Sequence, residues 1–471
     1  MKDVSLFIDS PKDSDVPVSS VFTQNMFEEL ISSLAENSIE GLLDLREHWN
    51  NDVKDRKIIS EFLKDANLGK KRFISMPDRI TNTISFKNGK SAYRPSVINC
   101  YSESLFSSRD DWWRKWQLFM FNHPILVEGR SDAVKPIYML VKINRSKYPA
   151  LSEKEENISI PLQTLSLAIF DSILIHMMNA LSSSWQTIRA NICSNLNLRK
   201  NDRSRDILET KYSHHDVMFL QEVSSSFISS LRSSSLINSK FHVSIPRLTS
   251  RHSDRDQKSV ILLSKDRFLV LQDVTSEVTQ GFPLDKRVPI EEGDLLAVLA
   301  EDMLDNTVFL LCSFHGDTNG LATVPVVRAV HQYATSKHRE AKLLFGMDAN
   351  TYATPEPDQQ GVTEFGLTMV SLTLSSCYGD SPDPSQHTTF AARTHLQPQL
   401  NKAVAYEERD IKGDKNPKDF IIFFKADFIE RDAKRDNTGK GIFIDNMVIP
   451  TLKFPSDHAI TSANLAATEK S

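Results

Sequence analysis

From about residue 160 onward, the sequence alternates short apolar runs with polar loops, and this pattern limits the possible folds more than any other feature. Such runs, bounded by turn residues, are typical of strands buried on both faces. The candidate strands are 165–170, 216–220, 259–263, 295–299, 307–314, 341–345, 420–424 and 443–449, and the candidate helices are 182–196, 203–212 and 322–338. Many buried strands, few helices, long loops and no internal repeat predict an α+β layered sandwich.

The first 160 residues have a different pattern. Residues 1–20 are polar and rich in Asp, Ser and Pro, which predicts a flexible N-terminus. Helical spacing of apolar residues follows at 21–63, an aromatic-faced helix is expected at 110–121 and a strand at 137–143. Tryptophans in such a stripe are interpreted as core, because they bury a large area. We therefore expect an accessory, partly helical domain of unknown role at 21–145, a linker at 146–160 and a catalytic domain at 161–471.

Composition narrows the class of protein. Hydrophobic residues make up 40% and charged residues 25%, with a net charge of −5, so a strong basic field for coating DNA is absent from the sequence. The most apolar stretch, LSLAIFDSILIHMMNAL, is short for a bilayer span and is interpreted as buried core. The cysteines form no C-x-x-C pair and predict reduced thiols: Cys100, Cys193, Cys312 and Cys377. With no apolar leader at the N-terminus, we expect a soluble, intracellular protein, cytoplasmic or nuclear.

Acidic or histidine residues stand at the ends of several apolar runs. A buried strand holds its last residue rigidly at the rim of the sheet, where a polar side chain can do chemistry. DVMFLQE ends in Glu222, LLCSFH ends in His315, and KFPSDH carries Asp457 and His458. Asp348 and Asn350 follow another run and are two residues apart, so an extended chain points both to one side. Asp419 opens the strand DFIIFF.

These residue types favour one kind of chemistry. Carboxylates suit hard cations such as Mg²⁺, which keep several waters and bridge to phosphate oxygens. Histidines without cysteine ligands argue against a structural zinc site and suit acid–base work or phosphate contact. The residues predict a metal-dependent phosphoester hydrolase.

Several motifs together resemble the endonuclease/exonuclease/phosphatase (DNase-I-like) superfamily, with the subgroup unassigned. The most specific are DVMFLQEV, GMDANTY and SDHAI, in the family's order, and SFHGDTNG and KDFIIFF support them. The resemblance covers about residues 165–466. It implies a four-layer α/β/β/α sandwich of two packed mixed sheets, preceded by a mainly helical N-terminal region, and in-line attack of water on a phosphate ester with Mg²⁺, or Mn²⁺, as cofactor.

The resemblance also implies roles for the site residues. Glu222 would be the main metal ligand, supported directly or through water by Asp457. Asp348 would orient or deprotonate the attacking water, and Asn350 would hold phosphate or transition-state oxygens. His458 would contact the phosphate and act as acid or base, and Asp419 would fix its tautomer. His315 would be a second phosphate contact or a leaving-group helper.

Two further residues are less clear. The family's first strand usually ends in an Asn, whereas the matching place here, LAIFDS, has Asp171, which is either an additional site residue or a helix cap. The polar, basic stretch 387–403 contains Arg393, which either lines the substrate groove or lies in a structural loop.

Three functions stay open. A nuclease or related phosphodiesterase is favoured by the basic stretches 189–205 and 247–258, which could follow a nucleic-acid backbone. A phosphatase or phosphodiesterase of a small molecule or lipid headgroup, of the inositol phosphate or sphingomyelin type, suits the mildly acidic chain and its lack of interleaved aromatic and basic residues. A non-catalytic binding module is disfavoured because the reactive residues are retained. The partner of the N-terminal region is not indicated.

Overall fold

The structure, a computed structural model, describes residues 7–85, 91–97, 99, 105–126, 132–247, 256–282, 290–390 and 415–468. The described residues divide into two compact units, of which the first ends at Leu198 and the second begins at Arg199. The division therefore falls near residue 198 and not in the expected linker at 146–160. Residues 161–198 belong to the first unit, because the helix that begins at Ser159 is buried in that unit's core.

The first unit is mainly helical around one apolar core. Trp112, Trp113 and Trp116 are buried in this core, which confirms the interpretation of the aromatic stripe. Its helices are α1 (Val18–Val21), α2 (Gln24–Glu36), α3 (Leu42–His48), α4 (Ala66–Lys71), α5 (Ser75–Thr81), α6 (Arg109–Gln117), α7 (Glu153–Asn157), α8 (Ser159–Leu181) and α9 (Trp185–Ile192), and its strands are β1 (Thr83–Ser85) and β2 (Ser91–Tyr93). Single 3₁₀ or π turns lie at Lys12–Ser14, Trp49–Val53, Ile58–Leu63, Leu118–Asn122, Pro136–Met139 and Cys193–Leu198.

Several predictions for this unit are wrong. The expected strand 165–170 is the middle of α8, because a continuous apolar run suits a buried helix as well as a buried strand. The expected strand 137–143 begins with a 3₁₀ turn. The described part of the expected flexible N-terminus is packed, since Val18 is buried and Asp15 accepts hydrogen bonds from the backbone N–H groups of Ile59 and Ser60.

Helix α8 is long and apolar enough, by length and composition, to cross a membrane. Of its most apolar window, 72% is buried inside the structure, as is usual for a core helix. The prediction that this stretch is buried core is confirmed.

The second unit is built on a six-stranded sheet in the order β10-β11-β9-β8-β7-β6, in which β8 and β9 are parallel and the other pairs antiparallel. Two antiparallel groups, β3-β5-β4 and β12-β13, complete the strands. The bounds are β3 (Val217–Val223), β4 (Phe241–Ser244), β5 (Lys258–Ser264), β6 (Phe268–Asp273), β7 (Leu295–Asp302), β8 (Val308–His315), β9 (Lys342–Asp348), β10 (Leu374–Ser376), β11 (Asp419–Phe424), β12 (Phe428–Asp436) and β13 (Ile460–Ala467).

Alternating residues of one strand enter different cores, which establishes the layers. Leu310, Cys312 and Phe314 of β8 pack under α14 (Thr323–Lys337) and α15 (Val362–Ser371), whereas Phe309 and Leu311 pack against the other strand groups. A third core lies between β3-β5-β4 and the remaining helices, of which the main ones are α10 (Lys200–Ile207), α11 (Ser225–Ser233) and α12 (Ser235–Lys240). The order is helix, sheet, sheet, helix, so the predicted α+β sandwich with a helical N-terminal region is confirmed.

The remaining elements of this unit are α13 (Thr275–Thr279) and a π turn at Leu208–Tyr212. The expected strand 443–449 is a loop. Strands β12 and β13, which flank this loop, escaped prediction because they are partly exposed and lack a continuous apolar run: β12 is mostly charged, and Thr461, Ser462 and Asn464 interrupt β13.

Candidate functional site

Three neighbouring strand ends carry the reactive residues of the larger sheet. Asp348, the last residue of β9, is paired in register with His315 at the end of β8 and with Asp419 at the start of β11. The end of β8, the end of β9 and the start of β11 lie side by side, because β8 and β9 are parallel and β11 runs in the opposite direction. All three side chains therefore stand at the same end of these strands. Residues distant in the sequence are thereby brought into one row.

Glu222 reaches this row from the second layer. The pairing of β3 with β5 shifts between Leu220 and Val223, and Glu222 within this irregularity has φ +54°. Bulges of this kind re-aim a side chain, and a non-glycine residue at positive φ is a strained conformation typical of functional sites. The Glu222 carboxylate lies 3.3 Å from Nε2 of His315.

Two contacts fix β3 over the larger sheet at this point. The Gln221 amide donates to Ser313 Oγ at 3.0 Å, and that hydroxyl donates to the carbonyl of Leu220 at 3.2 Å. Two residues before Gln221 on the same strand, the Phe219 ring packs directly on Gly346, where a Cβ atom would lie 2.3 Å from the ring. The glycine of GMDANTY thus allows the two layers to approach closely beneath the site.

The loop after β9 is tightly folded. Asn350 has φ +48°, and its backbone N–H donates to Asp348 Oδ1 at 2.9 Å. Asparagine tolerates this left-handed conformation better than most residues. Gly320, from the loop that follows His315, approaches so closely that a Cβ atom there would lie 2.7 Å from the carbonyl oxygen of Asn350.

His458 bridges two carboxylates. Its Nδ1 lies 2.9 Å from Asp419 Oδ2, and its Nε2 lies 3.7 Å from Asp348 Oδ2. Asp348 Oδ2 in turn lies 3.6 Å from Nε2 of His315. The order Glu222, His315, Asp348, His458, Asp419 is an unbroken series of acid–imidazole contacts.

Burial and charge act in opposite directions on these groups. Burial by itself would lower the pKa of His458, but the negative charges of Asp419 and Asp348 outweigh it and raise this pKa to about 10. Burial raises the pKa of Asp348, and the neighbouring Asp419 adds to this, while His458 and His315 oppose it. The imidazole of His458 is therefore positively charged at neutral pH beside a buried carboxyl group whose proton is held more tightly than usual.

A residue that the sequence did not indicate holds Asp419. The Thr388 hydroxyl donates a hydrogen bond to Asp419 Oδ2 and accepts hydrogen bonds from the backbone N–H groups of Lys418 and Asp419. The next residue, Thr389, forms a β-bridge with His458. Threonine in a polar loop carries no local signal, because this role depends on contacts about 30 and 70 residues away in the chain.

Asp457 is exposed, and its negative charge contributes to the raised pKa of His458. Asp171 lies within helix α8 and not at a strand end. It is fully buried in the first unit, where it binds Arg94 Nε at 2.8 Å and accepts a hydrogen bond from Trp116 Nε1 at 3.0 Å. The strand end expected at LAIFDS is wrong, because this apolar run is part of helix α8, and the described contacts of Asp171 are those of a buried ion pair. Arg393 lies outside the described residues.

Two sets of donor atoms at this site could hold a cation. Asp348, Asp419 and His458 each offer one ligand atom within 4.8 Å of the others, but His458 Nδ1 is already bound to Asp419. Glu222 offers a carboxylate that is 50% exposed and, like Asp348, lies against Nε2 of His315. A hard divalent cation that keeps several waters needs only one or two such carboxylates, so the exposed Glu222 fits it better.

Comparison with known proteins gives one family match for part of the chain and several similar solved structures. Residues 15–190 match a family described as "Domain of unknown function (DUF8234)", and no curated protein matches the chain. Solved structures similar to it include D. rerio TDP2 complexed with a single-strand DNA product, at 14% identity and TM-score 0.37, covering 57% of this chain and 94% of that one. Others are the human Nocturnin catalytic domain with bound sulfate, at 15% and 0.35, covering 57% and 86%, and a Bacteroides vulgatus endonuclease/exonuclease/phosphatase, at 14% and 0.38, covering 59% and 94%.

Identities and scores this low transfer no activity to this chain. The layers and the strand-end row described above are its own, and they do not depend on these matches. The second unit has the layered α+β fold that the resemblance to the endonuclease/exonuclease/phosphatase superfamily implied, with one mixed sheet and two antiparallel groups where two mixed sheets were expected.

Proposed function

We propose that the second unit is a divalent-cation-dependent phosphodiesterase that works by in-line attack of water. One observation carries the proposal: five reactive side chains from four strands and one loop lie in an unbroken row, with 3.3, 3.6, 3.7 and 2.9 Å between successive partners. Two imidazoles and three carboxylates in contact at one end of the strands suit phosphoryl chemistry, which uses both kinds of group.

Each residue has a chemical task in this proposal. Asp348 accepts a proton from the attacking water, for which a buried carboxylate with a raised pKa is suited. The charged His458 ring, oriented by Asp419, stabilises negative charge on the phosphate oxygens. Asn350 donates to the same oxygens, and His315 is a second phosphate contact or assists the leaving oxygen.

Glu222 would hold the cation, Mg²⁺ or Mn²⁺, with Asp457 contributing directly or through water. The cation supplies positive charge that polarises the phosphate ester. The residues of the chain then orient the water, remove its proton and neutralise the oxygens that become more negative during attack.

The test uses the full chain and bis(p-nitrophenyl) phosphate, with Mg²⁺, Mn²⁺ or EDTA. We expect His458→Asn to lower turnover by about a thousandfold, in the range for removal of a transition-state charge contact. His331→Asn, on α14, is the matched control and keeps wild-type turnover. Equal turnover of His458→Asn and wild type would disprove the catalytic assignment.

Metal binding has its own readout. Mn²⁺ should raise the melting temperature of the wild-type protein in the absence of substrate, and Glu222→Gln should abolish this shift. Glu301→Gln, on β7, is the control and should keep it. A shift that persists in Glu222→Gln would place the cation elsewhere.

The preference for nucleic acid receives little support from the basic stretches that suggested it. Arg189 is buried and its guanidinium carbon lies 5.0 Å from the Phe106 ring centroid. Arg205 lies within 3.7 Å of three acidic side chains of its own helical segment, and Lys258 binds Asp256 at 2.8 Å. These three charges are therefore engaged within the protein, and a nucleic-acid substrate stays a prediction.

A further inference from the structure

The loop 437–454 connects β12 to β13 and leads directly to His458. It contributes four of the exposed large aliphatic residues of the described chain: Ile442, Ile444, Val448 and Leu452. Ile442 is 56% exposed and Ile444 48%. Apolar side chains clustered on one surface segment are unfavourable in water and typically mark a binding surface.

The exposure of these residues belongs to a built loop. The Asp436 carboxylate accepts hydrogen bonds from the backbone N–H groups of Thr438, Gly439 and Gly441 at 2.8 to 2.9 Å. The Asn437 side chain bonds both the N–H and the carbonyl of Ile444. These bonds fix the backbone at both sides of Ile442, so the aliphatic side chains are held outward.

The two aromatic residues of the same segment, Phe443 and Phe454, pack against the protein. The Arg435 guanidinium carbon lies 4.0 Å from the centroid of the Phe443 ring, and His387 packs edge-on against it at 5.6 Å. Ile449 and Phe454 are buried. The loop thus sorts its side chains, with anchoring rings inside and aliphatic groups outside.

Basic residues flank the outward aliphatic groups. Lys440 and Lys453 are exposed at the two ends of the apolar stretch, and Asp445 is the one acidic residue of the loop's sequence. Aliphatic groups with lysines beside them match an interface with hydrocarbon below and anionic headgroups above. Nucleobases are instead bound by exposed aromatic rings, and the exposed large apolar residues of this loop are all aliphatic.

We propose that the loop 437–454 docks on the surface of an anionic phospholipid bilayer, so that the row ending at His458 and Asp419 acts on the phosphodiester of a phospholipid headgroup. The substrate part rests on the proposed function, while the docking part does not. The aliphatic side chains would enter the interface and the two lysines would contact acidic headgroups. The site would then meet its substrate at the membrane surface.

The experiment measures sedimentation of the full chain with vesicles, in EDTA so that no turnover occurs. Vesicles of phosphatidylcholine alone are compared with vesicles containing about 30% phosphatidylserine. We expect binding to the anionic vesicles and an approximately tenfold weaker partition for Ile442→Ser/Ile444→Ser. Lys440→Glu/Lys453→Glu should reduce binding to anionic vesicles and offers a second readout if the serine variant folds poorly.

The matched control is Leu269→Ser/Leu271→Ser on β6, a pair with the same spacing and 50% and 46% exposure. It should bind as the wild type does. Equal vesicle binding by the Ile442→Ser/Ile444→Ser variant, or no binding by the wild type, overturns the docking surface. If the same variant instead loses binding to a single-stranded oligonucleotide, the surface takes nucleic acid and the proposal is wrong.

Failure of this proposal is distinct from failure of the proposed function. The His458→Asn variant should still sediment with anionic vesicles, because binding needs no chemistry. Headgroup release from vesicles by the wild type, with Mg²⁺ present, supports the substrate class. Hydrolysis of bis(p-nitrophenyl) phosphate without any headgroup release overturns the substrate class and leaves the phosphodiesterase intact.

Discussion

The imidazole of His458 is joined to Asp419 through Nδ1, which lies 2.9 Å from one carboxylate oxygen and 3.1 Å from the other. With Nδ1 held by Asp419, Nε2 is the nitrogen that faces Asp348, 3.7 Å from its Oδ2. The pair therefore sets both the orientation and the charge of the ring. The first three of the following predictions depend on this pair.

Replacing Asp419 by Asn should lower the pKa of His458 from about 10 towards its ordinary value of 6.5. The largest favourable charge is removed, and the burial that lowers this pKa is then opposed chiefly by Asp348. NMR titration of the imidazole in EDTA measures the change. A pKa that stays near 10 in Asp419→Asn would mean that the pair does not determine the charge of the ring.

The same shift predicts how stability depends on pH. The folded pKa of His458 is raised above its unfolded value, so the stabilisation is fully present below about pH 6.5 and is lost as the pH rises towards 10. The side chain is 29% exposed, so we expect less than the roughly 1.4 kcal/mol per pKa unit of a fully transferred shift. Denaturant unfolding between pH 6 and about 10 should show a steeper decline for wild type than for Asp419→Asn.

Thr388→Val should lower turnover by about 10- to 100-fold, the usual effect of losing an outer hydrogen bond that orients a reactive group. The substitution removes the donor to Asp419 Oδ2 and the acceptor of two backbone N–H groups. Thr388→Ser keeps the hydroxyl and should restore most of the turnover. If serine is as impaired as valine, packing of the methyl group and not the hydrogen bonds explains the loss.

Asp171 should matter for stability and not for catalysis. Asp171→Ala leaves Arg94 buried with Asp78 as its acidic partner and removes the acceptor of Trp116 Nε1. Breaking a buried ion pair costs about 3–5 kcal/mol of unfolding free energy. Thermal unfolding should show this loss, while turnover measured below the transition equals wild type. Asp206 is exposed, and Asp206→Ala is the control. Reduced turnover of Asp171→Ala with unchanged stability would support a role of Asp171 in the site.

The sequence predicted the parts of the fold that bury strands on both faces. Strands such as β7 and β8 are continuous apolar runs, and the residues at the ends of β8 and β9 belong to the row in the structure. Helix α8 gave the same apolar signal, and its length of 23 residues was the feature that could have separated helix from strand. The error at Asp171 followed from this one.

The rest depends on contacts that no local pattern contains. Thr388 acts by joining a loop to the start of β11, and Glu222 reaches His315 through an irregular pairing in β3. Both arise from the packing of segments remote in the sequence. Residue type and position at a strand end identified which groups could react, and the tertiary structure decided which of them meet.

Gly346→Ala tests whether the close approach of the two layers places Glu222. A Cβ atom at this position would lie 2.3 to 2.5 Å from atoms of Phe219, so the strands must separate or the ring must move. Overpacking of this kind costs typically 1–3 kcal/mol of unfolding free energy. Phe219 lies on β3, three residues before Glu222, so the displacement should also lower turnover.

The double variant Gly346→Ala/Phe219→Leu should recover part of both losses, because a smaller side chain gives the new methyl group space. Chemical unfolding and hydrolysis of bis(p-nitrophenyl) phosphate measure the two effects separately. Gly366→Ala, in α15, is the matched control, since its Cβ atom would lie 3.2 Å from Pro382 and requires only a small adjustment. If Gly346→Ala loses stability but keeps full turnover, the position of Glu222 does not depend on the contact between Gly346 and Phe219.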